Sequence, residues 1–297
     1  MSAPLYATGL SRPTALPLPW WLRMLSRLPL GVLYACAAAA VWLMRRVVRH
    51  RVPTVRTNIE RSFPDLPRPQ RRLIEDRYYA NLSQVLAEVL KMGGLGGEEL
   101  RARVRFANAQ VILDVIASGR SALLVCAHHC NWEWQLLALS AQLQVPVQAA
   151  YKPLRGAVGD YIMRTLRSRF GAELVPAKEL LANLLRRRDA RAIAMVADQV
   201  PVTSHFNHWT RFLNQPTAFY MGPEKIAQAA HFAVIFAGMR RLARGHYEVV
   251  CEQLAAADER ATAGEITERY ARAVERQVRE SPADWMWLHR RWKLTPP

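Results

Sequence analysis

The sequence predicts an α/β fold in which helices flank a mainly parallel sheet, preceded by an N-terminal hydrophobic helix. Short and almost wholly apolar segments at 122–127, 145–150 and 192–197 are typical of buried parallel strands. Amphipathic segments separate them, and strands that alternate with helices favour parallel pairing. The chain has 297 residues, 51% of them hydrophobic and 22% charged, which is enough apolar material for a full core and excludes a disordered protein.

The first predicted element is the apolar segment 28–44, which carries no charged side chain over 17 residues. As a helix rising about 1.5 Å per residue it covers roughly 25 Å, slightly less than a ~30 Å hydrocarbon core. Trp20, Trp21 and Trp42 lie near its ends, where interfacial aromatic residues are expected. We interpret it as a membrane-embedded or interface-lying anchor, with a buried core helix as the alternative. A cleaved signal peptide fits poorly, because arginines follow the segment directly.

The chain is therefore divided into a basic, hydrophobic anchor at residues 1–50 and a folded domain at residues 51–297. Residues 56–67 contain two prolines and are predicted to form a connector. Residues 69–92 have the apolar spacing of an amphipathic helix, which the glycine cluster at 93–97 stops.

From residue 102 onward, strands and helices are predicted to alternate. Strands are expected near 104 and at 122–127, 145–150, 174–175, 192–197, 233–238 and 246–251. Helices are expected up to 117, from about 132, and at 158–170, 180–187, 219–230 and 265–279, with an irregular stretch from 198 to 215.

The net charge is +17, from 41 Lys and Arg against 24 Asp and Glu, and indicates a polyanionic partner such as nucleic acid, an acidic membrane surface or a phosphorylated substrate. Glu60 is the first acidic residue, and the basic side chains before it are Arg12, Arg23, Arg27, Arg45, Arg46, Arg49, Arg51 and Arg56. The denser cluster after residue 44 predicts that the following domain is cytoplasmic. The four cysteines form no CxxC pair, which also favours a reducing compartment.

The loop after the strand 122–127 is the first place to look for chemistry, because ligands bind at the carboxyl ends of strands in open α/β sheets. Its sequence is AHHCNWEW, residues 127–134. A helix capped by Asn131 places Glu133 in the first turn, where its carboxylate can orient His128 or His129 as a general base. A lone histidine is more often structural, but two histidines, an asparagine and a glutamate at one strand-to-helix turn favour a functional site.

Covalent catalysis and metal catalysis both lack good candidates in the sequence. There is no GxSxG motif, and Cys126 belongs to the buried strand. Candidate metal ligands exist, but the chain has neither HExxH nor paired CxxC spacing, so no metal site is predicted. The ligands considered are His128, His129, Cys130, His205 and His208.

In several segments the sequence resembles the bacterial late acyltransferases of lipid A biosynthesis, within the lysophospholipid acyltransferase-like group. The segments are LSRLPL, TNIERSFPDL, AHHCNWEW, YKPLRGAVGDYIMRTLRSRFGAELVP, VADQ and WMWLHRRWK, and their order and spacing extend over nearly the whole chain. The resemblance implies a glycerolipid acyltransferase-like fold for residues 51–297.

The resemblance also implies roles for individual residues. The family motif His-x4-Glu is matched by His128 and Glu133 and not by His129, so His128 is the expected general base and Glu133 the carboxylate that orients it. Lys152 and Arg167 match basic positions expected to face anionic substrate groups. Asp198 matches a third block and is expected among the substrate-binding residues, where it could position Arg167 or another basic group, with a cap on the following loop as the alternative. Arginine binds phosphate bidentately, which suits these assignments.

The implied reaction moves a fatty acyl chain from acyl carrier protein (acyl-ACP) or coenzyme A to a lipid hydroxyl, by direct attack in a ternary complex without a cofactor. The expected partners are acyl carrier protein and a membrane lipid acceptor, at the cytoplasmic side of the bacterial inner membrane and without nucleic acid. A lysophospholipid, an amino-acid lipid or another lipid is the alternative acceptor. A non-enzymatic protein that binds membranes or nucleic acid is the other alternative, based on the charge and on the aromatic and basic segment 285–293.

Overall fold

The computed structural model describes residues 17–187, 189–201 and 207–296. Arg12 of the basic N-terminal segment and His205, a candidate metal ligand, lie outside these ranges. The described strands are β1 (Val104–Phe106), β2 (Ala122–Cys126), β3 (Val147–Tyr151), β4 (Glu173–Pro176), β5 (Ala192–Val196), β6 (Asn207–Phe212), β7 (Gln215–Tyr220), β8 (Ala233–Ala243) and β9 (His246–Ala255).

The described α-helices are α1 (Trp20–Arg27), α2 (Leu30–Leu43), α3 (Val52–Ser62), α4 (Arg68–Lys91), α5 (Gly97–Arg103), α6 (Gln110–Ala117), α7 (Trp132–Gln142), α8 (Ala157–Arg167), α9 (Leu180–Leu185), α10 (Gly222–Ala230) and α11 (Glu265–Glu280). A π-helical turn at Met44–Val48 extends α2, and a 3-10 turn at Pro282–Asp284 follows α11.

Seven strands form one sheet in the order β1-β9-β8-β2-β5-β3-β4. Neighbouring strands are parallel, except that β8 and β9 form an antiparallel hairpin. β6 and β7 form a separate antiparallel hairpin. The central strand β2 is buried at every position. The structure thus confirms the predicted α/β fold with a mainly parallel sheet flanked by helices.

The sheet divides its side chains between two hydrophobic layers, because successive residues of a strand point to opposite faces. Leu123 and Val125 of β2 pack in one layer with Tyr270 and Val274 of α11. Leu124, which lies between them, packs in the other layer, to which α5, α6 and α7 contribute. An uninterrupted apolar strand is therefore required at this position, since both of its faces are covered.

One difference from the prediction is that the segment before α4 is mostly helical. The helix α3 buries Val52, Val55 and Ile59, which lie three and four residues apart on one face. Pro53 lies in the first turn of α3. Backbone N–H groups in the first turn have no intrahelical acceptor, so the N–H that proline lacks costs no hydrogen bond. The predicted connector is therefore reduced to the few residues that separate α3 from α4.

Two further segments differ from the prediction. The helix α5 begins at Gly97, the last glycine of the cluster. The stretch expected to be irregular contains β6, and β7 extends from its end to Tyr220, where the helix 219–230 was predicted to begin. Leu213 and Asn214, at the turn of the β6–β7 hairpin, have φ values of 48° and 64°. Such positive values suit the two-residue turns of β-hairpins, but Leu-Asn lacks the Asn-Gly signature that reveals these turns in a sequence.

The predicted anchor forms α2 and the π-helical turn. The continuous helix Leu30–Val48 is long and apolar enough to cross a membrane by length and composition, and 17% of its most apolar window is buried. One face of α2 nevertheless packs on α4, where Leu33 and Ala37 share a hydrophobic cluster with Ala87. Residues 1–50 and residues 51–297 thus contact each other through α2 and α4. The division of the chain at residue 50 stays a prediction.

Glu88 of α4 is a fully buried carboxylate that connects several elements. Its Oε1 accepts a hydrogen bond of 2.9 Å from the Tyr34 hydroxyl of α2. Its Oε2 accepts hydrogen bonds of 2.7 Å from the Asn131 amide and from the Tyr247 hydroxyl of β9. Burial raises the pKa of Glu88, and the hydrogen-bond donors only partly offset this. Glu88 therefore joins the anchor helix, β9 and the loop before α7.

We predict that Glu88→Ala destabilises the protein by about 3 kcal/mol, or roughly 6–12 °C in Tm, because it leaves two buried donors and the half-buried Tyr34 hydroxyl without their acceptor. Thermal unfolding in detergent measures the effect. Glu60→Ala, which removes an exposed carboxylate from α3, is the control and should shift Tm by less than about 2 °C. Equal shifts in the two variants would show that Glu88 does not connect these elements.

Candidate active site

Polar side chains collect where three neighbouring parallel strands of the sheet end. His128 follows β2, Asp198 and Gln199 follow β5, and Lys152 follows β3. These strands are adjacent, in the order β2-β5-β3, so their carboxyl ends lie along one edge of the sheet. This is the edge at which the α/β fold predicts a ligand site.

His128 and Asp198 form a close polar contact at this edge. Nδ1 of His128 lies 2.6 Å from Oδ1 of Asp198. Oδ2 of Asp198 accepts hydrogen bonds from the backbone N–H of His128 at 3.1 Å and from Nε1–H of Trp285 at 2.8 Å. The carboxylate therefore fixes both the ring and the backbone of His128.

The Asp198 side chain is only 3% exposed. Burial would raise the pKa of this carboxyl, but the charge of the His128 ring and the hydrogen bonds from His128 and Trp285 lower it to about 2. An ionised carboxylate on Nδ1 requires a proton on that nitrogen. The opposite nitrogen, Nε2, is then the basic one in the neutral ring.

The Gln199 side chain lies on the basic side of the ring. Its amide nitrogen is 3.1 Å from Nε2 of His128. An amide nitrogen only donates, so this contact agrees with a lone pair on Nε2. A histidine held by a carboxylate on one nitrogen, with a lone pair on the other, is the arrangement of a general base.

Glu133 does not make the predicted contact with His128. Its carboxylate instead accepts two hydrogen bonds from Arg167, of 2.7 Å from Nε and 2.5 Å from Nη2, and one of 3.1 Å from Nε1–H of Trp132. The carboxylate on Nδ1 of His128 thus belongs to Asp198, which was expected from the sequence to bind substrate, to position Arg167 or another basic group, or to cap the following loop.

The reason for this difference is the strand order. β2 and β5 are neighbours in the sheet, so residues 70 positions apart in sequence meet at their ends. Glu133 lies in the first turn of α7, where the side chain of Asn131 accepts a hydrogen bond from the Trp134 backbone N–H, as predicted for a helix cap. There Glu133 meets the guanidinium group at the end of α8.

Arg167 is therefore already paired, with 21% of its side chain exposed. Burial lowers its pKa, but the hydrogen bonds and charge of Glu133 outweigh this and raise the pKa above the ordinary value. Lys152 is exposed and has no ion pair within the described ranges. Of the two predicted anion-binding residues, Lys152 thus carries the less compensated charge.

A cavity of about 450 Å³ opens beside these residues. This volume lies within the range of about 300–1,000 Å³ that is typical of small-molecule sites. His128, Glu133, Lys152, Arg167 and Gln199 line its polar part. The apolar part is lined by side chains from the sheet and from α7, including Phe106, Leu124, Leu136, Leu139, Leu174 and Ala194. The cavity thus combines a polar region beside His128 with an apolar region.

The C-terminal segment holds the loop that carries His128. The backbone N–H of Met286 donates to the His128 carbonyl at 3.0 Å, and the Cys130 N–H donates to the Asp284 carbonyl at 2.9 Å. Trp285, 2% exposed, adds the hydrogen bond to Asp198. The sequence left the role of this aromatic and basic segment open, and no spacing in it reveals a contact with Asp198.

His129 points away from the cavity and is buried. Its two ring nitrogens lie 3.2 Å from the Met239 carbonyl and 3.0 Å from the Ser281 carbonyl. Burial lowers the pKa of His129. His129 therefore fits a structural position.

Among the candidate metal ligands in the described part of the chain, His129 and Cys130 are in contact, with 3.3 Å between Nδ1 and Sγ. No group of three or more His, Cys, Asp and Glu residues there could hold a metal ion. His208 instead contacts Glu268, with 2.7 Å between Nε2 and Oε2.

The family of bacterial lipid A biosynthesis acyltransferases matches residues 19–294. The lipid A biosynthesis lauroyltransferase of Escherichia coli is 23% identical over 304 aligned positions, which cover 99% of this chain and 96% of that protein. The lipid A biosynthesis acyltransferase of Haemophilus influenzae is 23% identical over 135 positions, which cover 45% of this chain and 42% of that protein.

The family match extends over the whole sheet and over every side chain placed at its edge. The chain belongs to the bacterial lipid A biosynthesis acyltransferase family.

Proposed function

We propose that this acyltransferase moves a fatty acyl group from a thioester of acyl carrier protein or coenzyme A to a hydroxyl of a lipid A precursor, with His128 as the general base. The observation that supports this most directly is the His128–Asp198 pair, whose ring lines a largely apolar cavity of about 450 Å³. A base beside an apolar cavity suits a reaction between a hydroxyl and a fatty acyl thioester.

In the proposed reaction the acceptor hydroxyl replaces the Gln199 amide at Nε2 of His128. Nε2 takes the hydroxyl proton while the oxygen attacks the thioester carbonyl carbon. The tetrahedral intermediate then collapses, the carbon–sulfur bond breaks, and the thiolate takes the proton from the imidazolium. The products are an ester and a free thiol, so no cofactor is consumed. Asp198 keeps Nδ1 protonated and stabilises the imidazolium while it exists.

We assign the apolar part of the cavity to the acyl chain. Leu124, Leu136 and Leu139 line it, and each buried methylene contributes about 0.8 kcal/mol of binding free energy. The donor carbonyl would then lie at the polar end, next to His128.

The pair Glu133–Arg167 is assigned to charge stabilisation at the same end. Glu133 binds Nε and Nη2 of Arg167, which leaves the Nη1 group of this half-buried guanidinium to donate to a substrate oxygen. Lys152, exposed beside the cavity, suits the phosphate of a donor or acceptor. Glu133 thus acts by positioning Arg167, and not by orienting His128.

We place the reaction at the cytoplasmic side of the inner membrane. Support comes from the apolar helix Leu30–Val48 and from the arginines at and just after its end, which are Arg45, Arg46, Arg49 and Arg51. Acyl carrier protein is the expected partner on that side, and the acceptor would come from the lipid layer.

We predict that His128→Gln lowers kcat about 1,000-fold, because the hydroxyl loses its proton acceptor. The assay uses the full-length protein in detergent with labelled acyl-ACP or acyl-CoA, and offers a lipid A precursor beside a lysophospholipid. His231→Gln, an exposed histidine after α10, is the control and should keep full activity.

A His128→Gln variant with more than a tenth of the wild-type rate would rule out His128 as the base. If the wild type is active but acylates only the lysophospholipid, the proposed reaction stands and the proposed acceptor is wrong.

Trp285→Phe is predicted to lower kcat about tenfold with little change in KM for the donor, because Asp198 loses one hydrogen bond without a change at the cavity wall. Trp287→Phe is the matched control, since Trp287 is equally buried and donates to the Pro282 carbonyl. The downfield proton signal of the His128–Asp198 hydrogen bond should shift in the first variant only. Equal losses of kcat with no such shift would assign Trp285 a purely structural role.

A further inference from the structure

The N-terminal helices leave an apolar surface exposed on the outside of the protein. Trp42 is 61% exposed at the end of α2, and Val47 and Val48 are 62% and 66% exposed in the π-helical turn. Trp20 and Met24 of α1 add 72% and 60% exposure. Exposed apolar side chains concentrated in one segment mark a surface that contacts lipid or another protein.

The opposite face of α2 packs against α4, and polar contacts join the two segments at several points. Just before α2, Nζ of Lys91 donates to the Leu28 carbonyl at 3.1 Å, and within α2 the Tyr34 hydroxyl donates to Glu88. At the other end Nη2 of Arg45 contacts Glu75 at 3.0 Å and Asp76 at 2.5 Å. Because one face of α2 packs on the charged helix α4, the other face is left to contact lipid. Helices that lie in the membrane interface have the same arrangement.

A second cavity, of about 310 Å³, lies where this surface meets the folded domain. It is bounded by α2 with its π-helical turn, by α4 and by the β8–β9 turn. It shares no lining residue with the cavity beside His128. The side chains that define it are Tyr34, Trp42, Arg45, Arg46, Gln84 and Arg244.

The charges of this second cavity are not balanced. Arg45 is paired with Glu75 and Asp76, but no carboxylate lines the cavity itself. Arg46 and Arg244 are exposed, and neither has an ion pair within the described ranges. The guanidinium of Arg244 lies 5.0 Å from the ring centre of Tyr34, which places it against the α2 wall.

We propose that this cavity binds the phosphate of an anionic phospholipid, whose acyl chains then lie along the exposed face of α2. Two uncompensated arginines favour a lipid with net negative charge over a zwitterionic one. Trp42 beside them is the residue type that sits at the headgroup level of a membrane. The proposal rests on the proposed membrane association and specifies the lipid that takes part in it.

The test titrates the full-length protein in detergent with a water-soluble dihexanoyl phosphatidylglycerol and follows binding by thermophoresis. Wild type should bind it at least tenfold more tightly than the variant Arg46→Gln/Arg244→Gln, which removes both free charges. The matched control Arg186→Gln/Arg260→Gln removes two exposed arginines that line neither cavity, and should bind like wild type.

Two other ligands separate the possible sources of the phosphate. Dihexanoyl phosphatidylcholine should bind at least tenfold more weakly than the glycerol lipid, and equal binding would overturn the choice of an anionic lipid. Inorganic phosphate should compete only weakly, and full competition at equal concentration would show a site for soluble anions. Acyl transfer by the wild type is measured separately with substrates, so its absence would contradict the proposed function and leave the binding result standing.

Discussion

The arrangement around His128 depends on one buried charge, the carboxylate of Asp198. An ionised carboxylate is costly to bury unless hydrogen bonds replace its water. The donors come from two distant segments: the loop after β2 supplies the ring and backbone of His128, and the C-terminal segment supplies Trp285. Satisfying this one charge therefore fixes the relative positions of the end of β5, the His128 loop and the C-terminal segment.

A second buried carboxylate, Glu88, does the same for the other side of the loop. It binds Asn131, which caps the helix that carries Glu133, and Tyr34 of the anchor helix. The loop 127–131 is thus held between two acidic side chains, one beside the sheet and one beside the anchor. This arrangement connects α2 to the candidate active site through the side chains of Tyr34, Glu88 and Asn131.

The sequence was sufficient to predict the class of fold, most strands to within a few residues, and the edge of the sheet at which the site lies. The reason is that apolar strands and helix caps are local signals, as at β2 and Asn131. Contacts that depend on the order of the strands in the sheet could not be predicted from the sequence. Glu133 was expected to contact His128, whereas the adjacency of β2 and β5 places Asp198 beside its ring. Trp285 was missed as a contact of Asp198 for the same reason, since 87 residues separate them.

β2 is flanked on both sides by parallel strands, and His128 lies two residues after its end. Exposing the amides of this strand to solvent requires two backbone ladders to separate at once, so they belong to the part of the fold that exchanges hydrogen most slowly. The helix α8 and the exposed residues 152–156 before it also border the cavity, but they are not hydrogen-bonded between two strands. Opening of the cavity at α8 therefore costs less free energy than displacement of the loop that carries His128.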